Sequence, residues 1–388
     1  MFCEPIKWYN RLMKYNWQQK DWPEFRFEVA EIQGLLYEFA EKAGRVSGAL
    51  SGLPDSMQTE TIIELMVAEA VKTSEIEGEF ISREDVRSSL MKHLGVGPEP
   101  EEVSDERAKG VAQLMLRVRD EYAAPLTDQM LFDWHQLLLG GVADPEKLSV
   151  GQWRSSDEPM QVVSGAYGKW KVHYEAPPSD RVPDEMARYI SWFNDSAPDG
   201  PAAMQPAPVR SAIAHVYFES VHPFEDGNGR VGRALSEKVL SQGLGRPVVL
   251  SLSEAIERKR NDYYDALKRA QRSNDVTEWV HYFVSTIVEA QDRADEQVSF
   301  ILAKARFFDR HGDALSERQN KIVVKMLEAG PDGFQGGMNA RKYMSMAKVS
   351  KATATRDLQH LAEIGALLPV GAGRSARYEV NLANEQLA

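Results

Sequence analysis

Most of the side chains that could carry out chemistry together lie in one short stretch, residues 222–233. It reads HPFEDGNGRVGR and holds a histidine, an acidic pair, a turn flanked by glycines and two arginines. Unpaired N–H groups at the start of a helix attract anions, and guanidinium groups add forked donors. The stretch therefore favours a site that binds a nucleotide through its phosphates and activates a nucleophile beside them.

Each polar residue type has a use in such a site. A neutral His222 at the end of the preceding helical segment could take a proton from an attacking hydroxyl. Asp226 would repel phosphate by itself, so it implies a bridging cation, and Mg²⁺ is the usual one. Gly227 and Gly229 permit positive φ and a close approach of the backbone. Asn228 between them can donate an amide hydrogen to phosphate.

Two other motifs can be traced through the same residues. Residues 227–232 also spell G-x-G-x-x-G, the dinucleotide fingerprint, and Glu254 follows at a suitable distance. That fingerprint directly follows a buried strand, whereas a helical segment and Pro223 precede it here. A calcium loop starting at Asp226 would hold an arginine in position five and a valine in place of its glycine. Both interpretations are weaker than phosphate binding, and a structural loop would not need this set of polar groups.

The stretch resembles the signature of the Fic family, H-x-F-x-[DE]-G-N-G-R-x-x-R, at every specified position. Fic proteins are mainly α-helical and typically transfer AMP from ATP to a Tyr, Ser or Thr hydroxyl of a protein. The resemblance implies that His222 is the general base and that Asp226 holds Mg²⁺. The residues that it assigns to the anion hole are Gly227, Asn228 and Gly229.

The resemblance also assigns the rest of a nucleotide site. Arg230 and Arg233 would take the distal phosphates. Tyr264 and Gln271 match the family's adenine side, although an asparagine is commoner than a glutamine at the second position. The segment 162–174 is similar to the family's flap, which docks a target segment by strand pairing.

A second motif precedes the first. Residues 73–78 read TSEIEG, which is similar to the family's inhibitory pattern [ST]-x-x-x-E-[GN], on a helix expected at about 60–80. The resemblance implies a regulatory set of Thr73, Glu77 and Gly78, in which Glu77 pairs with Arg233 and inhibits the enzyme. The alternative is that Glu77 is a solvated carboxylate at a helix end.

Composition limits the class of protein. The chain has 388 residues and a net charge of −12, which excludes a basic nucleic-acid coat. Its single cysteine, Cys3, cannot form a disulfide within the chain, which suits a reducing cytoplasm. We expect a cytoplasmic protein without a membrane partner, because no signal peptide and no apolar stretch of about 18 residues are found.

Periodicity predicts a mainly α fold with two small β elements. Apolar residues recur at helical spacing on both sides of the signature, so we expect helix, turn, helix there. Two short strands at 161–163 and 170–174 would form a hairpin across the turn at 164–168. The aromatic stretch 16–27 is interpreted as a packing anchor. No strand–helix alternation typical of a parallel sheet is present.

The predicted organisation has four parts. They are an N-terminal helical module with the inhibitory helix (1–104), a Fic catalytic core (105–290), a helical linker (291–312) and a winged-helix-like domain (313–388). The last part has a serine followed by a helix at 349–358 and a wing tip at 371–378. It holds ten Lys and Arg against eight Asp and Glu. Its candidate phosphate contacts are Lys348, Lys351, Arg356, Arg374 and Arg377.

The sequence thus predicts a protein adenylyltransferase that uses ATP and Mg²⁺, modifies a protein hydroxyl and also itself, and forms a homodimer. For the C-terminal part, DNA binding and a role in protein docking or dimerisation are both open. The main alternative function is a non-catalytic DNA-binding regulator that senses nucleotide. Within the family, the alternatives are transfer of another phosphate-containing group and removal of AMP.

Overall fold

The computed structural model describes residues 15–97, 103–141, 144, 148–164, 170–371 and 377–382. Within them, the chain is mainly helical with two antiparallel strand pairs, which confirms the predicted fold class. The α-helices are α1 Gln33–Ser51, α2 Asp55–Ile76, α3 Arg83–Leu94, α4 Glu106–Asp120, α5 Asp128–Leu139, α6 Val182–Asp195, α7 Ala207–Val221, α8 Asn228–Leu244, α9 Leu252–Arg258, α10 Arg260–Ala270, α11 Thr277–His311, α12 Glu317–Leu327, α13 Ala340–Ala347 and α14 Lys351–Glu363. The strands are β1 Gln161–Ser164, β2 Lys171–Glu175, β3 Leu367–Val370 and β4 Arg377–Val380.

The chain divides into two compact units. The first contains Ile62–Asp292 and the residues up to Arg45, and the second contains Val46–Thr61 and the residues from Arg293 onward. Residue 291, where we expected a linker to begin, lies within α11, which is continuous. None of the helices in the described part of the chain combines the length and the apolar character that a bilayer crossing demands.

Helix α7 runs through the core of the first unit. All of its residues are buried, which explains why its sequence is apolar over more than one stripe. The helix ends at His222, which adopts the left-handed conformation with φ of 51°. Pro223 follows and cannot continue a helix because it lacks an N–H donor. Helix α8 then begins after Gly227, whose φ is 79°. The predicted order of helix, turn and helix is confirmed.

The aromatic stretch near the N-terminus packs against this core. The rings of Trp22 and Tyr217 meet edge to face with centroids 5.1 Å apart, and the Trp22 indole N–H donates to Glu185. Tyr15 meets Tyr174 of β2 in the same way, at 4.9 Å. These contacts agree with the interpretation of this stretch as a packing anchor.

Strands β1 and β2 form the predicted hairpin, which we call the flap. They pair antiparallel, with Gln161 opposite Glu175 and Ser164 opposite Lys171. The predicted turn lies outside the described residues beyond Ser164. The flap is fixed at its base by Tyr174, a buried side chain whose hydroxyl donates to the carbonyl of Ser220 at 2.6 Å. Strand β2 therefore lies beside the end of α7.

The second unit has its own core and its own strand pair. Three helices, α12 to α14, are followed by β3 and β4, the order expected of a winged helix. The Ser350 side chain accepts the N–H of Thr353 and caps α14, as predicted. Asp357 on α14 binds Arg318 and the hydroxyl of Tyr343, which connects all three helices. The predicted wing tip lies largely outside the described residues, at 372–376.

Candidate active site

The turn between α7 and α8 presents free backbone donors. The first hydrogen bond within α8 joins the N–H of Val231 to the carbonyl of Gly227. The N–H groups of Asn228, Gly229 and Arg230 therefore precede the helical ladder and have no acceptor in it. Together with the partial positive charge of the helix start, these groups form a binding place for an anion such as phosphate.

Arg154 holds His222 in place, and sequence reasoning missed it. Its side-chain Nε donates to the carbonyl of His222 at 2.7 Å, and its backbone N–H donates to the carbonyl of Pro223 at 2.9 Å. The guanidinium also donates to Pro177 and Ser179, so it ties the turn to the segment after the flap. Burial lowers the pKa of Arg154 to about 10, so the group stays charged at neutral pH.

His135 supports the same turn from α5 and was also missed. Its ring stacks on Phe224 with centroids 4.0 Å apart. The N–H of Gly151 donates to Nδ1, so the ring proton must be on Nε2, which lies 3.1 Å from the carbonyl of Asp226. Phe224 is fully buried, as expected for apolar backing of the loop.

Asn228 has a structural role that differs from the predicted one. Its side-chain amide accepts from the N–H of Phe224 and donates to the carbonyl of the same residue, at 2.9 and 2.8 Å. The side chain therefore braces the turn, and the backbone N–H of Asn228 is the donor that remains for an anion.

Asp226 lies at the edge of the turn with its side chain 58% exposed. One carboxylate oxygen accepts the N–H of Gly227, and the other lies 3.7 Å from Arg230. No group of three metal-ligating side chains occurs among the described residues. A single exposed carboxylate beside a phosphate-binding turn nevertheless fits Mg²⁺, because this ion keeps several waters and takes the remaining ligands from phosphates.

The structure brings the 73–78 segment to the second arginine of the signature. Arg233 is 1% exposed and donates from Nε to the hydroxyl of Thr73 at 2.7 Å. Its Nη2 donates to the carbonyl of Thr73 and to Oε1 of Glu77, at 2.9 and 2.8 Å. A Cβ at Gly229 would collide with Oε1 of Glu77, so this close approach requires glycine there.

A second carboxylate reaches the first arginine. Helix α2 ends in a Schellman turn, because the N–H of Gly78 bonds to Glu75 and that of Glu79 bonds to Ser74. Gly78 has φ of 81°, which explains the glycine at this position. Beyond the turn, Glu79 accepts from Nη1 of Arg230 at 2.8 Å. The two signature arginines thus each bind one glutamate from the end of α2.

Tyr264 and Gln271, the two residues expected on the adenine side, differ in their exposure. Tyr264 on α10 is 40% exposed, and its hydroxyl donates to the carbonyl of Ile76 at 3.3 Å, close to the end of α2. Gln271 is buried, and its amide donates to the carbonyl of Glu219 at 3.0 Å. Tyr264 is open to a ligand, whereas the amide of Gln271 is used within the core, which argues against a direct base contact.

Three family models match separate parts of the chain. The Fic/DOC family matches residues 125–240, which contain the turn described above. A domain of unknown function, DUF4172, matches residues 15–96. The C-terminal domain of DIP2311-like transcriptional regulators matches residues 335–381.

Curated relatives are similar to part of the chain. A protein adenylyltransferase of Caenorhabditis briggsae is 31% identical over 39% of this chain and 25% of its own length. A uridine 5′-monophosphate transferase of Xanthomonas campestris is 30% identical over 35% of this chain and 24% of its own length. The alignments therefore span about a quarter of the length of these two relatives.

A solved structure shares the fold. A Fic family protein from Desulfovibrio desulfuricans superposes with a TM-score of 0.54 at 20% identity, over 94% of this chain and 99% of that chain. The signature, the helix–turn–helix geometry around it and these matches agree with one another. Residues 125–240 therefore carry a domain that matches the Fic/DOC family.

Proposed function

We propose that this chain is a protein adenylyltransferase that transfers AMP from ATP to a Tyr, Ser or Thr hydroxyl of a target protein and also of itself. The observation that carries the proposal is the placement of His222 on one side of a turn whose other side is the open start of α8. A proton acceptor and a phosphate-binding place are thereby joined in one segment. The adenylyltransferases among the relatives support AMP as the transferred group.

Each residue of the site has a separate role in the proposed transfer. His222 takes the proton of the target hydroxyl, and the N–H groups at the start of α8 bind a phosphate. Arg230 and Arg233 hold the distal phosphates once their glutamates have left them. Asp226 would hold Mg²⁺, which neutralises phosphate charge when it is bound. Tyr264 lies on the nucleoside side.

Inhibition by Glu77 is part of this proposal. Its carboxylate lies 2.8 Å from Nη2 of Arg233, the guanidinium that the γ-phosphate would use. The carboxylate also repels that phosphate, so ATP cannot adopt the pose needed for in-line attack. Thr73 contributes by holding Arg233 against α2 through two hydrogen bonds.

The proposal is tested by incubating the purified protein with ATP labelled at the α-phosphate, alone and with a lysate of its own cell. Labelled proteins are then identified by mass spectrometry. UTP labelled at the same position serves as the matched comparison, because one relative is a uridine 5′-monophosphate transferase. Label from UTP alone would indicate a different transferred group. Loss of label from a modified target would indicate removal of AMP. No transfer from either nucleotide by a Glu77→Gly variant, in which the proposed inhibition is removed, would favour a non-catalytic nucleotide sensor.

Replacing Asp226 with alanine is expected to remove the magnesium dependence of transfer together with the activity. The carboxylate is exposed at the turn and contributes little to the core, so the variant should fold. The measurement is a magnesium titration of transfer, with Glu225→Ala as the neighbouring control. If Asp226→Ala kept a normal response to magnesium, Asp226 would not be the ligand.

The second unit favours DNA binding as an additional function. Helix α14 buries Ala354, Leu358 and Leu361 and leaves Lys351 and Arg356 exposed on another face. The match of residues 335–381 to the C-terminal domain of a family of transcriptional regulators supports the same interpretation. We propose that α14 contacts duplex DNA through this exposed basic face.

DNA binding should weaken steeply as salt rises, because each phosphate contact releases counterions. Replacing Lys351 and Arg356 with alanine should reduce the slope of log K against log salt by about one unit for each lost contact. Fluorescence anisotropy with a mixed-sequence duplex would measure this effect. Lys321→Ala, an exposed change on α12, is the control. Binding that is absent or independent of salt would favour a docking or dimerisation role, which sedimentation would detect.

A further inference from the structure

Among the buried polar atoms without a hydrogen-bond partner in the described part of the chain, two belong to side chains that face each other at the end of α7. They are Nδ1 of His222 and Oε1 of Glu219. Glu219 lies three residues before His222 on α7, and its other oxygen, Oε2, lies 3.6 Å from that Nδ1. The separation is that of an ion pair and is slightly longer than a hydrogen bond. The two side chains are therefore positioned to become partners.

The carboxylate of Glu219 is enclosed by the surrounding helices. The residue is 5% exposed, and a Cβ at Gly232 of α8 would lie 2.6 Å from its Oε1. A buried carboxylate is costly unless charges or donors compensate for the lost water. Its compensation must therefore come from groups within the core.

The titratable and charged groups that face Glu219 come from four helices. They are His215 within α7, His222 at the end of α7, Arg233 on α8, Tyr263 and Tyr264 on α10, and Tyr189 on α6. Burial acts to raise the pKa of Glu219, but its interactions with His222, His215 and Arg233 outweigh burial and hold the pKa below its usual value. Glu219 is thus a carboxylate at neutral pH.

Two of these neighbours make their hydrogen bonds to groups other than Glu219. Burial lowers the pKa of His215 to about 4, so its ring is neutral at neutral pH. Both ring nitrogens of His215 are also occupied, by Ser236 and Tyr263. Arg233 is already bonded to Glu77 and Thr73. The hydroxyls of the three tyrosines also bond elsewhere, to His215, Ile76 and Ala214. The imidazole of His222 is therefore the remaining group that could place a proton opposite Glu219.

We propose that Glu219 is the positioning residue for His222, because its carboxylate accepts the Nδ1–H bond and leaves the lone pair on Nε2. The inference rests on the proposed AMP transfer. The target hydroxyl oxygen bonds to the α-phosphorus, the bond from that phosphorus to the bridging oxygen breaks, and pyrophosphate leaves. The hydroxyl proton passes to Nε2 of His222. The positive charge that arises on the imidazole then lies beside the carboxylate of Glu219.

The kinetic test replaces Glu219 with glutamine in the Glu77→Gly protein. We expect kcat to fall about tenfold or more, with KM for ATP unchanged, because the imidazole loses its orientation and counter-charge. Glu185→Gln, a change of a buried glutamate on α6 that pairs with arginines, is the matched control and should leave kcat unchanged.

A measurement on the unsubstituted protein covers the case in which the glutamine variant fails to fold. Nitrogen NMR of histidine-labelled protein reports which ring nitrogen of His222 carries the proton, with assignment from His222→Ala. The Nδ1–H form supports the inference, and the Nε2–H form overturns it. An unchanged kcat in Glu219→Gln would also overturn it. Absence of transfer by the Glu77→Gly parent would contradict the proposed function and leave the NMR test of Glu219 decisive.

Discussion

Replacing His222 with alanine should lower AMP transfer by about 10²–10⁴-fold while ATP binding stays largely intact. The imidazole serves the proton of the target hydroxyl, whereas the phosphates are held by the start of α8, by Mg²⁺ and by the arginines. The side chain is 15% exposed and its backbone is held by Arg154, so its removal should leave the turn in place. Transfer and ATP affinity should be measured on the same protein in the Glu77→Gly background.

The matched control for that experiment is His281→Ala, which removes an exposed histidine on α11. It should leave both transfer and ATP affinity unchanged. An active His222→Ala protein would show that the base is another group. A loss of ATP affinity equal to the loss of rate would show that His222 acts in binding.

Replacing Glu77 with glycine should raise AMP transfer, including transfer to the protein itself, at least about tenfold, which corresponds to about 1.4 kcal/mol in the barrier. The change frees Arg233 from its 2.8 Å ion pair and removes a charge that repels the γ-phosphate. Most substitutions near a working site lower activity, so a gain is a specific expectation. It is measured by the initial rate with α-labelled ATP.

Two comparisons separate inhibition from a general effect on α2. Glu77→Gln and Glu75→Gln remove the same charge from neighbouring positions, but Glu75 pairs with Lys72 and not with Arg233. The first should raise transfer and the second should not. The gain of Glu77→Gly should vanish when Arg233→Ala is added, because the productive phosphate pose needs that guanidinium. Equal or lower transfer by folded Glu77→Gly would refute inhibition by Glu77.

The local pattern of the sequence was enough to predict much of the fold. Helical periodicity on both sides of residues 222–233 predicted α7 and α8. The short apolar stretch at 161–163 and the alternation at 170–174 predicted the hairpin. The resemblance of TSEIEG to the inhibitory pattern placed Glu77 on a helix expected at about 60–80, and Glu77 lies directly after α2. These features depend on neighbours in the chain, which is the range over which periodicity carries information.

The missed parts of the site depend on distant neighbours. Arg154 and His222 are 68 positions apart, and His135 and Asp226 are 91 apart, so no local pattern pairs them. A sequence also does not reveal that a polar side chain is already satisfied. The amide of Asn228 was expected at phosphate, but the backbone of Phe224 uses it. Gln271 was expected at adenine, but it lies within the core.

The Schellman turn at the end of α2 has a consequence for how a nucleotide would enter. The turn delivers Glu77 to Arg233 and Glu79 to Arg230, so each arginine is neutralised before any ligand arrives. Entry of a nucleotide is then an exchange of anions, in which carboxylates leave as phosphates arrive. Its free energy is a difference between two similar interactions, and this difference is small compared with either one. A small change in the free energy of the α2 contacts, caused by a bound partner or a modification near the end of the helix, would therefore shift the equilibrium between bound carboxylates and bound phosphates.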